Sequence, residues 1–215
     1  MSEFASWDAG ASFTGTWDAA AGPGRAWHAR AGALIFLQGA LDPRFYLIRS
    51  GFIRASIEKE NGQPLLLEIF GPGTLLGEGA AFDGRPRYVT ASAATDCLLA
   101  VYDIHDVRAR IAGEPALALA LIGIMSAKQR TLAQKLAVLA AASPEERVRE
   151  LLRRVARMHA AKGPWHVDLT HEEIAGMTGL SRVSVTRVLR QLAGHGAITT
   201  ARRRIEIPAG STLMA

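Results

Sequence analysis

Cysteine occurs only once in the 215 residues, at Cys97. A single thiol excludes an intramolecular disulfide framework and an iron–sulfur cluster held by the cysteines of one chain, so we expect Cys97 to be a buried structural thiol. Long apolar runs are also absent, since residues 116–127 are too few to span a bilayer, and the N-terminus has no signal-peptide pattern. We therefore expect a cytoplasmic protein that has no membrane partner.

Net charge is absent from the first two thirds of the chain. Residues 1–142 hold 13 Lys and Arg against 13 Asp and Glu, whereas residues 143–215 hold 12 against 7. The whole excess of +5 therefore lies in the last third. This distribution is expected when only that third contacts a polyanion, although an ordinary basic surface would also fit it.

Residues 171–192 predict two short helices joined by a tight turn at Gly179. Thr170 and Glu173 form a capping box for the first helix, and Ser181 is placed to cap the second. At about 100° per residue, the second helix has one apolar face and one polar face. This layout is typical of a DNA-binding helix-turn-helix. The alternative is a helical hairpin with a solvated basic face.

Two β-prone runs follow this helix pair and flank three arginines at 202–204. They predict a hairpin wing with a basic tip, a feature that fits a phosphate backbone. The predicted DNA-binding residues are Thr170, Ser181, Arg182, Val183, Ser184, Thr186, Arg187, Arg190, Arg202, Arg203 and Arg204.

Residues 25 to about 103 contain short β-prone runs separated by turn residues, with Asn61-Gly62 as a strong hairpin signal. Close, regular spacing of the runs predicts an antiparallel barrel or jelly roll that can enclose one ligand. A glycine-rich loop over residues 77–88 carries Glu78 and Arg87. These two charges suit a ligand that has an anion and hydroxyls, whereas an incidental surface loop is the alternative.

Histidine is too sparse in the predicted barrel for an enzyme of the metal-dependent jelly-roll type. Such enzymes need clustered histidine and carboxylate ligands. Only His28 and His105 lie in or near the barrel, and neither has a second histidine within two to four residues. We therefore predict no catalytic residues and no metal site.

Pro115 is placed to open a long helix that ends near Ala142, and Ser143-Pro144 begins the next helix. Six apolar residues of the long helix are assigned to one stripe, which packs on the barrel or pairs with its copy in a second subunit: Leu117, Leu121, Met125, Leu132, Leu136 and Leu139. If the stripe pairs with its copy, Lys128 would interrupt this dimer seam and set its register.

Four segments follow from these patterns. Residues 1–24 form an N-terminal extension in which Trp7 and Trp17 are expected to anchor onto the next domain. Residues 25–112 form an effector-sensing β-barrel, residues 113–142 a dimerisation helix, and residues 143–215 a winged helix-turn-helix.

This order of parts resembles the Crp/Fnr family of transcription regulators. The residues that carry the resemblance are Gln38-Gly39, Gly51, Gly77-Glu78, Phe82, Arg87-Tyr88, Glu114-Pro115, Leu180-Ser181-Arg182 and Arg187. The resemblance implies an α+β fold with an N-terminal antiparallel jelly roll of the cyclic-nucleotide-binding type. It also implies a homodimer on a palindromic operator of double-stranded DNA and, for an activator, contact with RNA polymerase.

The resemblance also assigns an effector site, but with departures. In cyclic-AMP-responsive members, the residues that match Glu78 and Arg87 hold the ribose and the phosphate. A serine or threonine follows that arginine, and two hydroxyl residues on the dimer helix contact the adenine. Here Tyr88, Leu132 and Ala133 stand at those positions.

We therefore expect a small-molecule effector other than cyclic AMP. It would be bound by Gly77, Glu78, Arg87, Tyr88, Leu132 and Ala133. Three alternatives stay open: cyclic AMP itself, haem with His28 as a ligand, and a DNA-binding dimer that needs no effector.

The recognition helix departs from cyclic-AMP-type members as well, because Val183 stands where they have glutamate. Valine cannot accept a hydrogen bond from cytosine, but it can touch a thymine methyl group. We expect a half-site that has T·A at the base pair read by Val183, with Arg182 and Arg187 bound to guanine or phosphate.

Overall fold

The computed structural model describes residues 24–58, 64–159, 164–201 and 204–214, together with residues 15, 17, 22 and 62. The chain divides into two compact units, Met1–Gln134 and Lys135–Ala215. The boundary falls inside the long helix, so the predicted domain limits at 112 and 142 stay predictions.

The first unit contains two four-stranded antiparallel sheets, in the orders β1-β8-β3-β6 and β2-β7-β4-β5. The strands are β1 Arg25–Ala29, β2 Leu34–Phe36, β3 Arg44–Ser50, β4 Ile53–Glu58, β5 Pro64–Phe70, β6 Leu75–Leu76, β7 Thr90–Ala93 and β8 Cys97–Asp103. The predicted jelly roll is confirmed. The β4–β5 hairpin is present, although Asn61 of its predicted turn lies outside the described residues.

Strand β3 is buried on both faces because each face has its own core. Tyr46 and Ile48 pack between the two sheets with residues of β2, β4 and β7. Phe45 and Leu47 point the other way, into a cluster that includes helical residues. Trp17 is 0% exposed in this second cluster, edge-on to the rings of Phe45 and Tyr102. Its predicted role as an anchor is confirmed, whereas Trp7 lies outside the described residues.

Three helices with described bounds belong wholly or partly to this unit: α1 Glu78–Asp83, α2 Ile104–Ile111 and α3 Pro115–Ala141. Helix α1 corrects the interpretation of residues 77–88 as a loop, because the left-handed glycines Gly77 and Gly84 bound one short helix. The opening of α3 at Pro115 is confirmed. Cys97 is also buried as predicted, and burial raises the pKa of its thiol.

Helix α3 has two apolar faces instead of the single predicted stripe. Residues Leu117, Ala120, Ile124, Ala127 and Thr131 are buried. A second face exposes 42–68% of each apolar side chain at Leu119, Ile122, Met125, Leu132 and Leu136. The prediction was wrong because the helix is apolar on both sides, so one stripe could not be separated from the other by periodicity.

The second unit follows the predicted order of a winged helix-turn-helix. Its elements are α4 Pro144–His159, β9 Trp165–Val167, α5 His171–Thr178, α6 Arg182–Gly194, β10 Thr199–Ala201 and β11 Arg204–Ile207, with a sheet ordered β10-β11-β9. Ser143 and Glu146 cap α4 reciprocally, at 2.7 and 3.3 Å. Throughout the described ranges, no helix combines the length and apolarity that crossing a membrane requires.

Candidate nucleic-acid interface and effector site

The helix pair α5–α6 is held by the predicted local signals. Thr170 Oγ1 accepts from Glu173 N at 3.1 Å, and Glu173 Oε2 accepts from Thr170 N at 2.7 Å. Gly179 ends α5 with φ 65°, a left-handed conformation that a side chain would strain. Ser181 then caps α6 by accepting from Ser184 N at 3.1 Å. These caps fix the point at which α6 begins.

One face of α6 is buried and the other is exposed, as the sequence predicts. Val185, Val188, Leu189 and Leu192 are the buried residues. On the opposite face, Val183 is 79% exposed in the first turn, between Arg182 and the half-buried Ser184. An exposed apolar residue flanked by polar groups suits contact with a thymine methyl group.

The arginines of α6 are free of protein partners in the part of the chain that the structure describes. Arg182, Arg187 and Arg190 are all exposed, and their guanidinium groups form no hydrogen bond or ion pair there. The arginines of α4 differ, because Arg147 donates to Ala142 O at 3.0 Å and Arg149 to Glu145 at 2.8 Å. Three positive charges of this unit are thus available on α6.

Thr186 connects α6 to α5 instead of pointing freely outward. Its hydroxyl donates to Arg182 O at 2.9 Å, and it lies 2.9 Å from His171 Nδ1. Since the hydroxyl proton is used on the carbonyl, His171 Nδ1 acts as the donor to Thr186. Thr186 therefore helps to fix the angle between the two helices.

The predicted wing hairpin is confirmed, with Thr200 opposite Ile205 in the β10–β11 register. Its Arg202 and Arg203 lie outside the described residues. Arg204 is half exposed, and its Nε donates to Asp168 Oδ1 at 3.0 Å. This contact raises the pKa of the Arg204 guanidinium and ties it to its own unit.

In the candidate effector site, Glu78 is paired with a lysine of α3. The Glu78 side chain is 3% exposed, and its Oε1 accepts from Lys128 Nζ. Lys128 Nζ also donates to Leu75 O at 3.0 Å. Glu78 Oε2 is buried and has no hydrogen-bond partner among the described residues. The interpretation of Lys128 as an interruption of a dimer seam was wrong, because this side chain turns to its own barrel.

Arg87, the second charge of this site, is buried and points at backbone carbonyls. Its guanidinium donates to the carbonyls of Gly77, Arg44 and Asp42, the last at 3.0 Å, while its Nε has no partner in the described part of the chain. Burial lowers the pKa of this guanidinium. Gly77 has φ 80°, and a Cβ at this position would collide with the Arg87 guanidinium. The turn and the arginine therefore fit only with glycine there.

The other predicted effector residues are exposed. Tyr88 is 65% and Leu132 57% exposed, and Ala133 is exposed beside it. The Tyr88 hydroxyl lies against Gly79, 3.1 Å from the point where a Cβ would be. The structure thus buries the charged pair of residues and leaves the apolar part of the predicted site on the surface. His28, the possible haem ligand, is exposed on β1.

Two family models match the chain. The cyclic nucleotide-binding domain matches residues 26–113, and the Crp-like helix-turn-helix domain matches residues 146–215. The chain belongs to the Crp/Fnr family. As a Crp/Fnr protein, it is a DNA-binding transcription regulator with a cyclic nucleotide-binding domain.

Its similarity to individual Crp/Fnr proteins covers most of the chain. It is 31% identical to a CRP-like cAMP-activated global transcriptional regulator of Mycobacterium tuberculosis, over 78% of this chain and 76% of that protein. It is also 31% identical to the cyclic AMP receptor protein of Thermus thermophilus, over 82% of this chain and 80% of that protein. The structure of a CRP/FNR-family regulator from Thermus thermophilus aligns with TM-score 0.70 and 26% identity, covering 88% of this chain and 96% of that one.

The sequence did not predict which residues contact the two charged residues of the effector site, Glu78 and Arg87. Lys128 and the Asp42–Arg44 turn contact Glu78 and Arg87 from 43 to 50 residues away in the chain. One signal was available: Lys128 lies on the same side of α3 as Leu121 and Ile124, at a spacing that predicts burial against the barrel.

Proposed function

We propose that the chain acts in the cytoplasm as a homodimer that binds a palindromic operator and responds to a small molecule other than cyclic AMP. The observation that carries the DNA-binding part is the free, exposed row of arginines on α6 beside the exposed Val183. Unpaired guanidinium groups at a helix face are available to guanine edges and phosphates. The proposed DNA contacts are the residues predicted from the sequence, with Thr186 in a supporting role.

The homodimer is supported by the second apolar face of α3. Ile122, Leu132 and Leu136 each expose more than half of their surface, in line along one helix. Contiguous exposed apolar surface favours association, and an identical helix offers a self-complementary partner. This is the segment that the family resemblance assigns to dimerisation. RNA polymerase is a further proposed partner if the regulator is an activator.

The ion pair between Lys128 and Glu78 supports an effector other than cyclic AMP. Lys128 already takes one oxygen of the carboxylate that the resemblance assigns to the ribose hydroxyls. The unpartnered Glu78 Oε2 and Arg87 Nε nevertheless leave polar groups that a ligand could satisfy. The related proteins named for cyclic AMP make this nucleotide the first competitor to test.

A second candidate is a regulator that needs no effector. It is favoured because Glu78 already pairs with Lys128, and Arg87 already donates to three backbone carbonyls. Operator affinity that stays constant across metabolite extracts would support this candidate over the first.

Selection of full-length protein on random duplexes tests the DNA-binding part. We expect two inverted half-sites about one helical turn apart, with T·A at the base pair read by Val183. Val183→Glu should change this preference to C·G, because a carboxylate accepts from cytosine N4. His195→Glu, which adds the same charge at the far exposed end of α6, is the control. Selection of C·G by the unmodified protein would overturn the assignment.

Calorimetry with cyclic AMP, after an absorption spectrum to check for haem, tests the effector part. We expect no binding at micromolar concentrations and no haem band. Micromolar binding would mean that the nucleotide displaces Lys128 from Glu78, and the proposal of a different effector would be wrong.

A further inference from the structure

A cavity of about 230 Å³ opens on the sheet face formed by β1, β3 and β8. It is lined by Arg25, Trp27, Arg44, Tyr46 and Val101. The strand register explains this grouping, because Arg25 and Tyr46 both lie opposite Val101, and side chains two residues apart share a face. Of these residues, only Arg44 also contacts the site of Glu78 and Arg87, through its backbone carbonyl.

The cavity has hydrogen-bond donors that are not used within the described part of the chain. Tyr46 is 1% exposed, and its hydroxyl has no hydrogen-bond partner among the described residues. Burial raises the pKa of this hydroxyl, so it stays protonated at neutral pH. Arg44 uses Nε and Nη2 on Asp42, at 2.9 and 2.8 Å, which leaves Nη1. Arg25 is exposed and forms no ion pair in the described part of the chain. Asp103 lies opposite Arg44 but accepts from His105 N as a helix cap.

Aromatic rings form the rest of the cavity. The Trp27 and Tyr46 rings lie 5.8 Å apart at 49°, and Tyr46 stacks on Phe36 at 6.0 Å. A planar guanidinium suits a carboxylate, and an aromatic wall suits a ring that is attached to it. Since ordinary ligand pockets hold about 300–1,000 Å³, this cavity has room for a single ring.

We propose that the Arg25–Tyr46 cavity binds a small aromatic carboxylate. Arg25 and the free Nη1 of Arg44 receive the carboxylate, Tyr46 donates a further hydrogen bond, and Trp27 packs on the ring. This site is separate from the candidate effector site and does not depend on the proposed response to an effector.

The cavity and the candidate effector site share one backbone segment. The carbonyls of Asp42 and Arg44 accept from the Arg87 guanidinium, while the side chain of Arg44 lines the cavity. The Arg87 guanidinium also lies 4.7 Å from the centre of the Phe36 ring, on which Tyr46 stacks. A ligand bound to the Arg44 side chain therefore contacts the same turn whose backbone carbonyls accept from Arg87.

Titration of the full-length protein with benzoate tests the site, by calorimetry and by ligand-detected magnetic resonance. We expect saturable binding with a dissociation constant of about 1 mM or below. Benzamide, which keeps the ring but has no charge, should bind about tenfold more weakly. Inorganic phosphate should not compete at equal concentration.

Two variants keep the fold and remove single donors. Arg25→Gln removes an exposed charge and Tyr46→Phe removes only a hydroxyl, so each should weaken benzoate binding about tenfold. Arg30→Gln, at an exposed arginine just beyond β1 and outside the cavity, should change nothing. The proposal is overturned by absence of benzoate binding, by equal loss in the Arg30 variant, or by phosphate binding as tightly as benzoate.

Discussion

Basic side chains of this protein serve two distinct purposes, which their contacts separate. Arg87 and Lys128 are committed to carbonyls and a carboxylate inside the first unit. Arg182 and Arg187 have no partner in the described residues and stay exposed. An ion pair or carbonyl contact stabilises the fold, whereas an unpaired guanidinium is ready for an external anion. Charge counts alone could not make this distinction.

The pair Glu78–Lys128 gives a prediction for stability. Lys128→Met leaves the buried Glu78 carboxylate without its counter-charge, so the free energy of unfolding should fall by about 3 kcal/mol. Adding Glu78→Gln removes the buried charge and should recover a large part of this loss. Urea unfolding of the two single variants and the double variant measures the coupling.

Arg130→Met is the matched control for this cycle, because Arg130 is exposed on the same helix. Its effect should stay within about 0.5 kcal/mol. If the losses of the two single variants simply add in the double variant, the ion pair contributes no coupling and this account of Glu78 is wrong.

At the scale of elements, the parts that the sequence predicts well are those with local signals. The caps at Thr170, Ser181 and Ser143 depend on residues within three positions of each other, and all three are present. The β10–β11 hairpin follows from two runs around a short turn. Helix α1, with six residues, is too short to show a period, so its glycines dominated the prediction.

Long-range contacts explain the remaining errors. The ion pair between Lys128 and Glu78 joins residues 50 apart in the chain, and no local pattern encodes this pairing. The burial of α3 on one face and the exposure of its other face depend on which side meets the barrel. Periodicity reports that a face is apolar but does not report what covers it.

Recognition helix and wing should contribute differently to DNA binding. Arg182→Ala removes a proposed base contact, so it should cost about 1–3 kcal/mol at one base pair and relax preference there. Neutralising Arg202 and Arg203 together should weaken binding to all DNA sequences alike. The slope of log K against log salt should become shallower by about 2. Anisotropy titrations at several salt concentrations separate these effects, and equal loss of base preference in both variants would contradict the division.

At the scale of the whole molecule, the two units differ in charge as well as in fold. Residues 1–134 hold 12 Lys and Arg against 13 Asp and Glu, whereas residues 135–215 hold 13 against 7. A nearly neutral first unit adds little to non-specific attraction by DNA, so we assign the affinity for phosphate to the helix-turn-helix unit. In the proposed homodimer, two such units act on one duplex, and the exposed face of α3 is the surface that we propose joins them.

This dependence on association gives the last prediction. Ile122→Glu places a charge in the exposed apolar face of α3, so the protein should sediment as a monomer. Affinity for a complete palindrome should fall by about a hundredfold or more, because the second half-site is no longer bound by a linked unit. Affinity for a single half-site should not change. Ala116→Glu, at an exposed position in the first turn of α3, should remain dimeric with full affinity. A monomeric Ile122→Glu protein that kept full affinity for the palindrome would show that α3 does not link the DNA-binding units.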